Sequence, residues 1–220
     1  MSFCGFKFIR EESLPLIAAA QAGETPHGWD RAAADLRKDY ERWSRLGLGV
    51  IAWFGSTIGI MILGVPAMAF ATGDIGSGII GAVLGLMFAA PALYVLFKLW
   101  SSGGKLSRAA AIWLKAPYEM GLRRPAASGW LEARVVNYEP PMLARIFTAA
   151  FAFLAATMGI VAGIVGPEGE RLVATFFGVV GLVSAACMCG QIGGLMNIVN
   201  GLAVRDPVWM RIRSALTRRK

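Results

Sequence analysis

The side chains best suited to chemistry are three cysteines, Cys4, Cys187 and Cys189, and the single histidine, His27. Cys187 and Cys189 stand in the run ACMCGQIGG, residues 186 to 194, inside a long apolar stretch. Thiols at this spacing could hold a soft metal or could mark a place where two helices touch. In a helix, residues two apart are rotated by about 200°, so the two thiols face opposite sides and cannot grip one ion. A Zn²⁺ or Cu⁺ site also wants further His or Cys ligands, and Cys4 and His27 are the rest of the supply. No metal is expected, and the two cysteines read as small buried hydrophobes.

Other chemistry is argued against in the same way. The apolar stretches carry no histidine to ligate a haem and no Asp or Glu to relay a proton or hold a coupling ion. No nucleophile and base pair is apparent, so neither an enzyme nor a cofactor is expected. GLGVIA from Gly47 and GSGIIG from Gly76 imitate nucleotide-binding fingerprints, but neither follows a strand, and each opens an apolar stretch.

Composition explains these absences. Of 220 residues, 56% are hydrophobic and 16% charged, and mean hydropathy is +0.56, which is membrane-protein composition. Four stretches, Leu46 to Thr72, Ile79 to Trp100, Ile146 to Gly166 and Leu172 to Val204, exceed the roughly 20 helical residues that cross a bilayer core. Without water to pair the backbone they must be helices, since the alternating strands of a barrel are absent. The short connections GDIGSG (73 to 78) and PEGER (167 to 171) predict two antiparallel hairpins.

Charge orients them. Residues 1–45 hold seven Lys/Arg and seven Asp/Glu, 98–145 hold eight against three, and 205–220 hold six against one. The two short connections hold Asp74 in one and Glu168, Glu170 and Arg171 in the other. Because Lys/Arg are retained on the inner side, both termini and the middle segment are expected in the cytoplasm, with the chain in the inner (plasma) membrane. The net charge of +8 then reflects topology and attraction to anionic headgroups; no aromatic-interleaved basic module calls for nucleic acid.

The expected fold is therefore an all-α membrane protein of four transmembrane helices in two hairpins, N-in and C-in, with an amphipathic cytoplasmic helix near the N-terminus. The expected divisions are a cytoplasmic segment 1–45 with its helix at 28–45, a first hairpin 46–100, a basic cytoplasmic segment 101–145, a second hairpin 146–204 and a basic tail 205–220. MSFCGFKFIR is expected to be a loosely ordered tail, and LPLIAAAQAGE is rejected as a signal peptide because its apolar part is short and Glu11 and Glu12 stand where cations belong.

In the N-terminal helix Trp29, Ala33, Leu36, Tyr40 and Trp43 recur at helical spacing, with Asp30, Arg31, Asp35, Arg37, Lys38, Asp39, Glu41 and Arg42 on the other faces. The pairs Arg31/Asp35 and Glu41/Arg45 offer i,i+4 support. The face of Trp29, Leu36, Tyr40 and Trp43 must dock on the bilayer interface, the middle segment or another subunit. SSGGK, 101 to 105, reads as a flexible exit from the second span, and the following Trp113-bearing basic stretch as a helix in the headgroup plane. Trp43, Lys98, Trp100, Arg145 and Trp209 read as interface anchors.

Each span carries glycines four apart: Gly55 and Gly59, Gly81 and Gly85, Gly159 and Gly163, Gly190 and Gly194. That spacing lets helix backbones approach closely. Gln191, Asn197 and Asn200 sit in the overlong half of the fourth stretch, where amides either join helices or line a polar cavity. That stretch must protrude or break near Gly193 and Gly194, and Pro91 should kink the second span. A shift of one hundred positions aligns Arg45 with Arg145, Gly59 with Gly159 and Gly81 with Gly181, which raises a parallel duplication.

A chain rich in contact devices and poor in reactive groups is expected to be a non-catalytic accessory or assembly subunit of a larger inner-membrane complex. A small homo-oligomeric transporter or channel, and a lipid-binding or membrane-shaping protein, are the alternatives. The expected partners are membrane lipids with anionic headgroups and other membrane subunits or a second copy, not nucleic acid.

Overall fold

A computed structural model describes residues 2–3, 6–23, 28–124, 139–167 and 171–206. Cys4, His27, Glu168, Glu170, the stretch 125–138 and the tail with Trp209 lie outside the described residues. Among the described residues, two short strands, β1 (Ser2–Phe3) and β2 (Phe6–Lys7), precede six α-helices. The helices are α1 (Ser13–Ala22), α2 (Trp29–Tyr40), α3 (Trp43–Thr72), α4 (Ile75–Glu119), α5 (Pro140–Val165) and α6 (Arg171–Leu202). Four helical stretches are long and apolar enough to cross a membrane, as a multi-pass membrane protein requires.

The chain divides into two compact units. One comprises Met1–Arg45, Ser101–Arg145 and Ile192–Lys220, the other Leu46–Trp100 and Ile146–Gln191.

The first unit has an ordinary hydrophobic core. Ile17 and Ala20 of α1, Ala32, Ala33, Leu36 and Tyr40 of α2, Leu106 and Trp113 of α4, Met142 of α5 and Ile198 and Leu202 of α6 form one buried cluster. The α2 stripe is thus covered by this chain's own α1 and by the middle segment. Trp113 is 2% exposed, and its indole N–H donates to the Leu16 carbonyl at 3.1 Å. The headgroup-plane helix expected here is instead the end of α4, which runs unbroken through Pro91 and the SSGG sequence. The two glycines do not break it, and both lie beside arginine side chains, Gly103 against Arg45 and Gly104 against Arg108. A Cβ on Gly103 would lie 3.5 Å from an Arg45 Nη2 and 3.7 Å from the Tyr40 ring. Among the described residues of the N-terminal tail, Ser2 pairs with Lys7 and Phe3 with Phe6, antiparallel, and Phe8 is buried.

The second unit is built in the opposite sense. Its buried residues are mostly small, Ala52, Ser56, Ala89, Ala149, Ala152, Ala156, Ala174 and Ser184, while Ile51, Phe147, Met158, Ile164 and Val165 are each 67% exposed or more. Large apolar side chains outside and small ones inside suit a surface solvated by hydrocarbon, where close backbone contact drives helix association.

Backbone proximity is visible at the glycines. A Cβ added at Gly59 would lie 2.8 Å from the Ala89 Cα, at Gly85 2.7 Å from the Leu63 Cγ, and at Gly81 2.9 Å from the Pro66 Cδ. Between α5 and α6, a Cβ at Gly159 would be 2.7 Å from the Phe177 carbonyl oxygen and 2.8 Å from the Gly181 Cα; at Gly163 it would be 2.8 Å from the Gly178 Cα. Gly159→Leu should therefore destabilise the unit by about 1–3 kcal/mol, read as an earlier midpoint in denaturant titration of the detergent-solubilised protein. Gly193→Leu, where an added Cβ meets nothing within 4 Å, should stay within about 0.5 kcal/mol of the parent.

The same contacts limit the duplication. Gly81 sits against Pro66, but Gly181 sits against Ile160, and Gly166 meets Ala174. A shift of one hundred residues relates Gly59 to Gly159 yet misplaces the faces they meet. Between α3 and α4, Gly73 takes a left-handed φ of +83°. Asp74 then caps α4, accepting from the Ser77 hydroxyl at 2.6 Å and the Ser77 amide at 3.2 Å, bonds that hold its carboxyl below the usual range.

Candidate functional site

The densest polar arrangement among the described residues lies in the first unit, around the end of α2. Asp39, placed by periodicity on a polar face, is fully buried. Its carboxylate accepts the Arg10 amide at 2.9 Å and faces the Arg42 Nε at 3.0 Å and the Arg10 guanidinium at 4.0 Å. Arg42 also donates to the Lys7 carbonyl at 2.7 Å and lies 5.3 Å from the Phe6 ring centroid. A carboxylate in this position has no water to solvate it, so two cations and an amide must do so.

Next to it are two buried arginines. Arg45 donates to the Phe8 carbonyl and, at 2.9 Å, to the Ser102 hydroxyl. Arg145 donates to the Tyr40 carbonyl at 2.5 Å, with its guanidinium 4.4 Å from the Tyr40 ring centroid, a cation–π stack. These side chains tie the N-terminal arm, α2, α4 and α5 together. Arg145 is therefore an interior residue of the unit and not an interface anchor. Glu41 bonds Arg37 and not the Arg45 expected from i,i+4 spacing; Arg37 also bonds Glu139.

Beside this network opens a cavity of about 700 Å³, lined by Arg10, Arg37, Lys38, Arg42 and Arg205 and by Asp30, Glu41 and Glu139. Asp30 is shared by Arg123, at 2.5 and 2.9 Å, and Arg205, at 3.7 Å. The apolar part of the wall includes Ala33, Leu114, Pro141, Leu202 and Trp43. Five cations face three carboxylates, so the lining holds a surplus of two positive charges.

The remaining residues singled out by sequence are dispersed. Leu36 and Tyr40 lie in the core, Trp29 packs partly against it, and Trp43 opens α3 with 59% exposure. Asn197 donates to the Ser107 hydroxyl at 3.1 Å, joining α6 to α4; Gln191 is half-buried and Asn200 exposed. Asn197→Leu should cost about 0.6 kcal/mol, measurable as a small shift of the unfolding midpoint in detergent. α6 is unbroken through Gly193 and Gly194, and an added Cβ at Gly194 would lie 2.9 Å from the Tyr40 Cζ. At Gly55 and Gly190 the neighbours are Ala92 and Trp100, at 3.4 and 3.0 Å. Cys187 is half-buried and Cys189 exposed, so the second is not the buried hydrophobe expected. Among the described residues no three His, Cys, Asp or Glu side chains come together as a metal-holding group.

Sequence reasoning missed Asp39, Ser102 and Gly178. The signal for Gly178 was present, since it lies on the face of Gly181; of the partners of Asp39, Arg42 is local, but the Arg10 amide that it accepts lies 29 residues away. No family model, curated protein or solved structure matches the chain.

Proposed function

We propose that this chain is a non-catalytic accessory or assembly subunit of an inner (plasma) membrane complex, threaded as two helical hairpins with both termini and the middle segment in the cytoplasm. The reading is carried by where polar groups are directed. Among the described residues the buried polar side chains of the second unit are Ser56 and Ser184. Ser56 donates to the Trp53 carbonyl at 2.8 Å and Ser184 to the Val180 carbonyl at 2.9 Å, while the Trp53 indole donates to Ser184 at 3.0 Å. Polar groups bonded to their own helices and to a packing indole hold helices together and give a solute little to bind. In the first unit the buried arginines are likewise directed at carbonyls and a serine of the same chain. The exposed apolar surface of the second unit offers area for lipid and for partner helices.

The test is affinity purification of the tagged full chain from its own membranes in mild detergent. A stoichiometric membrane partner is expected. A monodisperse monomer with no companion would overturn the subunit reading.

A further inference from the structure

The cavity of the first unit has features that a purely architectural role leaves unused. Its carboxylates are all engaged: Asp30 by Arg123 and Arg205, Glu41 and Glu139 by Arg37. Lys38 is exposed on the wall, and the Arg10 side chain is 43% exposed, 4.0 Å from a carboxylate that Arg42 approaches more closely. Lys38 can thus meet an incoming anion without leaving a described ion pair, and the half-exposed Arg10 can do so by turning from the longer of the two ion pairs that Asp39 makes. The wall also joins these cations to Trp43, an exposed indole at the start of α3, and to Pro141, near the start of α5. Each of these lies within about a turn or two, along its own helix, of the long apolar lengths. Indoles and cations at the ends of such helices belong at headgroup depth, where basic pockets between helices take anionic lipid heads.

We propose that this cavity binds the phosphate of an anionic phospholipid headgroup, with Lys38 and Arg10 as its principal cations and Trp43 lying alongside the glycerol and upper acyl chain. The site holds whether or not the chain has protein partners, since it needs only the membrane placement of the helices. Its chemistry is that of a phosphate ester, and the position of Trp43 makes lipid its source in preference to a soluble phosphate.

The experiment is native mass spectrometry of the full chain in mild detergent, titrated with phosphatidylglycerol or phosphatidylcholine. Phosphatidylglycerol should bind with saturable, near-unit stoichiometry, and phosphatidylcholine much more weakly. Lys38→Gln should weaken phosphatidylglycerol about fivefold, and Arg10→Gln with Lys38→Gln roughly 25-fold. Lys105→Gln, an exposed cation of the same unit outside the cavity lining, should leave binding unchanged, and the thermal midpoints of all variants report that they fold. Equal losses in Lys105→Gln would mean diffuse surface attraction and overturn the site. Displacement of the lipid by millimolar glycerol 3-phosphate would assign the cavity to a soluble phosphate ester and overturn the lipid assignment, as would no preference for the anionic lipid.

Discussion

Trp113→Ala should lower the stability of the first unit by about 3–5 kcal/mol. The indole is 2% exposed within the cluster that joins α1, α2, α4, α5 and α6. Its removal leaves a cavity and deprives the Leu16 carbonyl of its donor. Trp113→Phe retains most of the apolar contact and loses the hydrogen bond, so it should cost much less, about 1–2 kcal/mol. Scanning fluorimetry of the detergent-solubilised protein separates the two. Limited trypsin digestion adds a local readout, because α1 is pinned through Leu16: cleavage at Arg10 should be markedly faster in Trp113→Ala than in the parent.

Asp39→Ala should cost a similar amount, about 3–5 kcal/mol, because it leaves the largely buried Arg42 without its counter-charge and the Arg10 amide without its acceptor. The Arg10 amide loses its acceptor, and Arg42 loses its carboxylate while keeping its bond to the Lys7 carbonyl. Asp39→Asn keeps an oxygen for the amide and removes the charge, so its loss should fall between Asp39→Ala and the parent. The measurement is the denaturation midpoint of each variant, with hydrogen exchange over residues 6–10 showing whether the arm comes away from α2. An unperturbed arm in Asp39→Ala would mean that Arg45 and the Phe8 carbonyl suffice to hold it.

The four apolar helices and the α2 stripe were legible because a single local property governs each. Hydropathy over about 20 residues reports a need for lipid, and a 3.6-residue period reports one buried face, so Leu36 and Tyr40 could be placed inside before any partner was known. The cover for that face could not. It is supplied by Leu106 and Trp113 from α4 and Ile198 from α6, and nothing local in α2 encodes a contact so far along the chain. Asp39 was misplaced for the same reason: the N-terminal arm that supplies the Arg10 amide and guanidinium lies far along the chain, and Arg42 alone, three residues away, does not signal burial.

Gly103 and Gly104 were read as a break because glycine weakens helices by about 1 kcal/mol against alanine. That preference is small against the packing of the flanking residues: Ser102, Leu106 and Ser107 are all buried, and they hold the helix on both sides of the pair. Asp74 and Gly73, by contrast, form a turn whose two signals, a left-handed glycine and a capping carboxylate, sit side by side and point the same way. The charged cavity had no sequence signature, since its cations come from α2 and the turn after it, the arm and the turn that follows α6, and each looks alone like ordinary inner-side basic residues.

Sidedness is the premise on which the threading and the docking of partners on the cytoplasmic parts rest, and cysteine labelling in right-side-out membrane vesicles tests it most directly. In a background with Cys4, Cys187 and Cys189 replaced by serine, Ser77→Cys should react with an impermeant maleimide in sealed vesicles. Lys38→Cys and Lys105→Cys should react only after permeabilisation. Labelling of Lys38→Cys or Lys105→Cys in sealed vesicles, with Ser77→Cys protected, would contradict it.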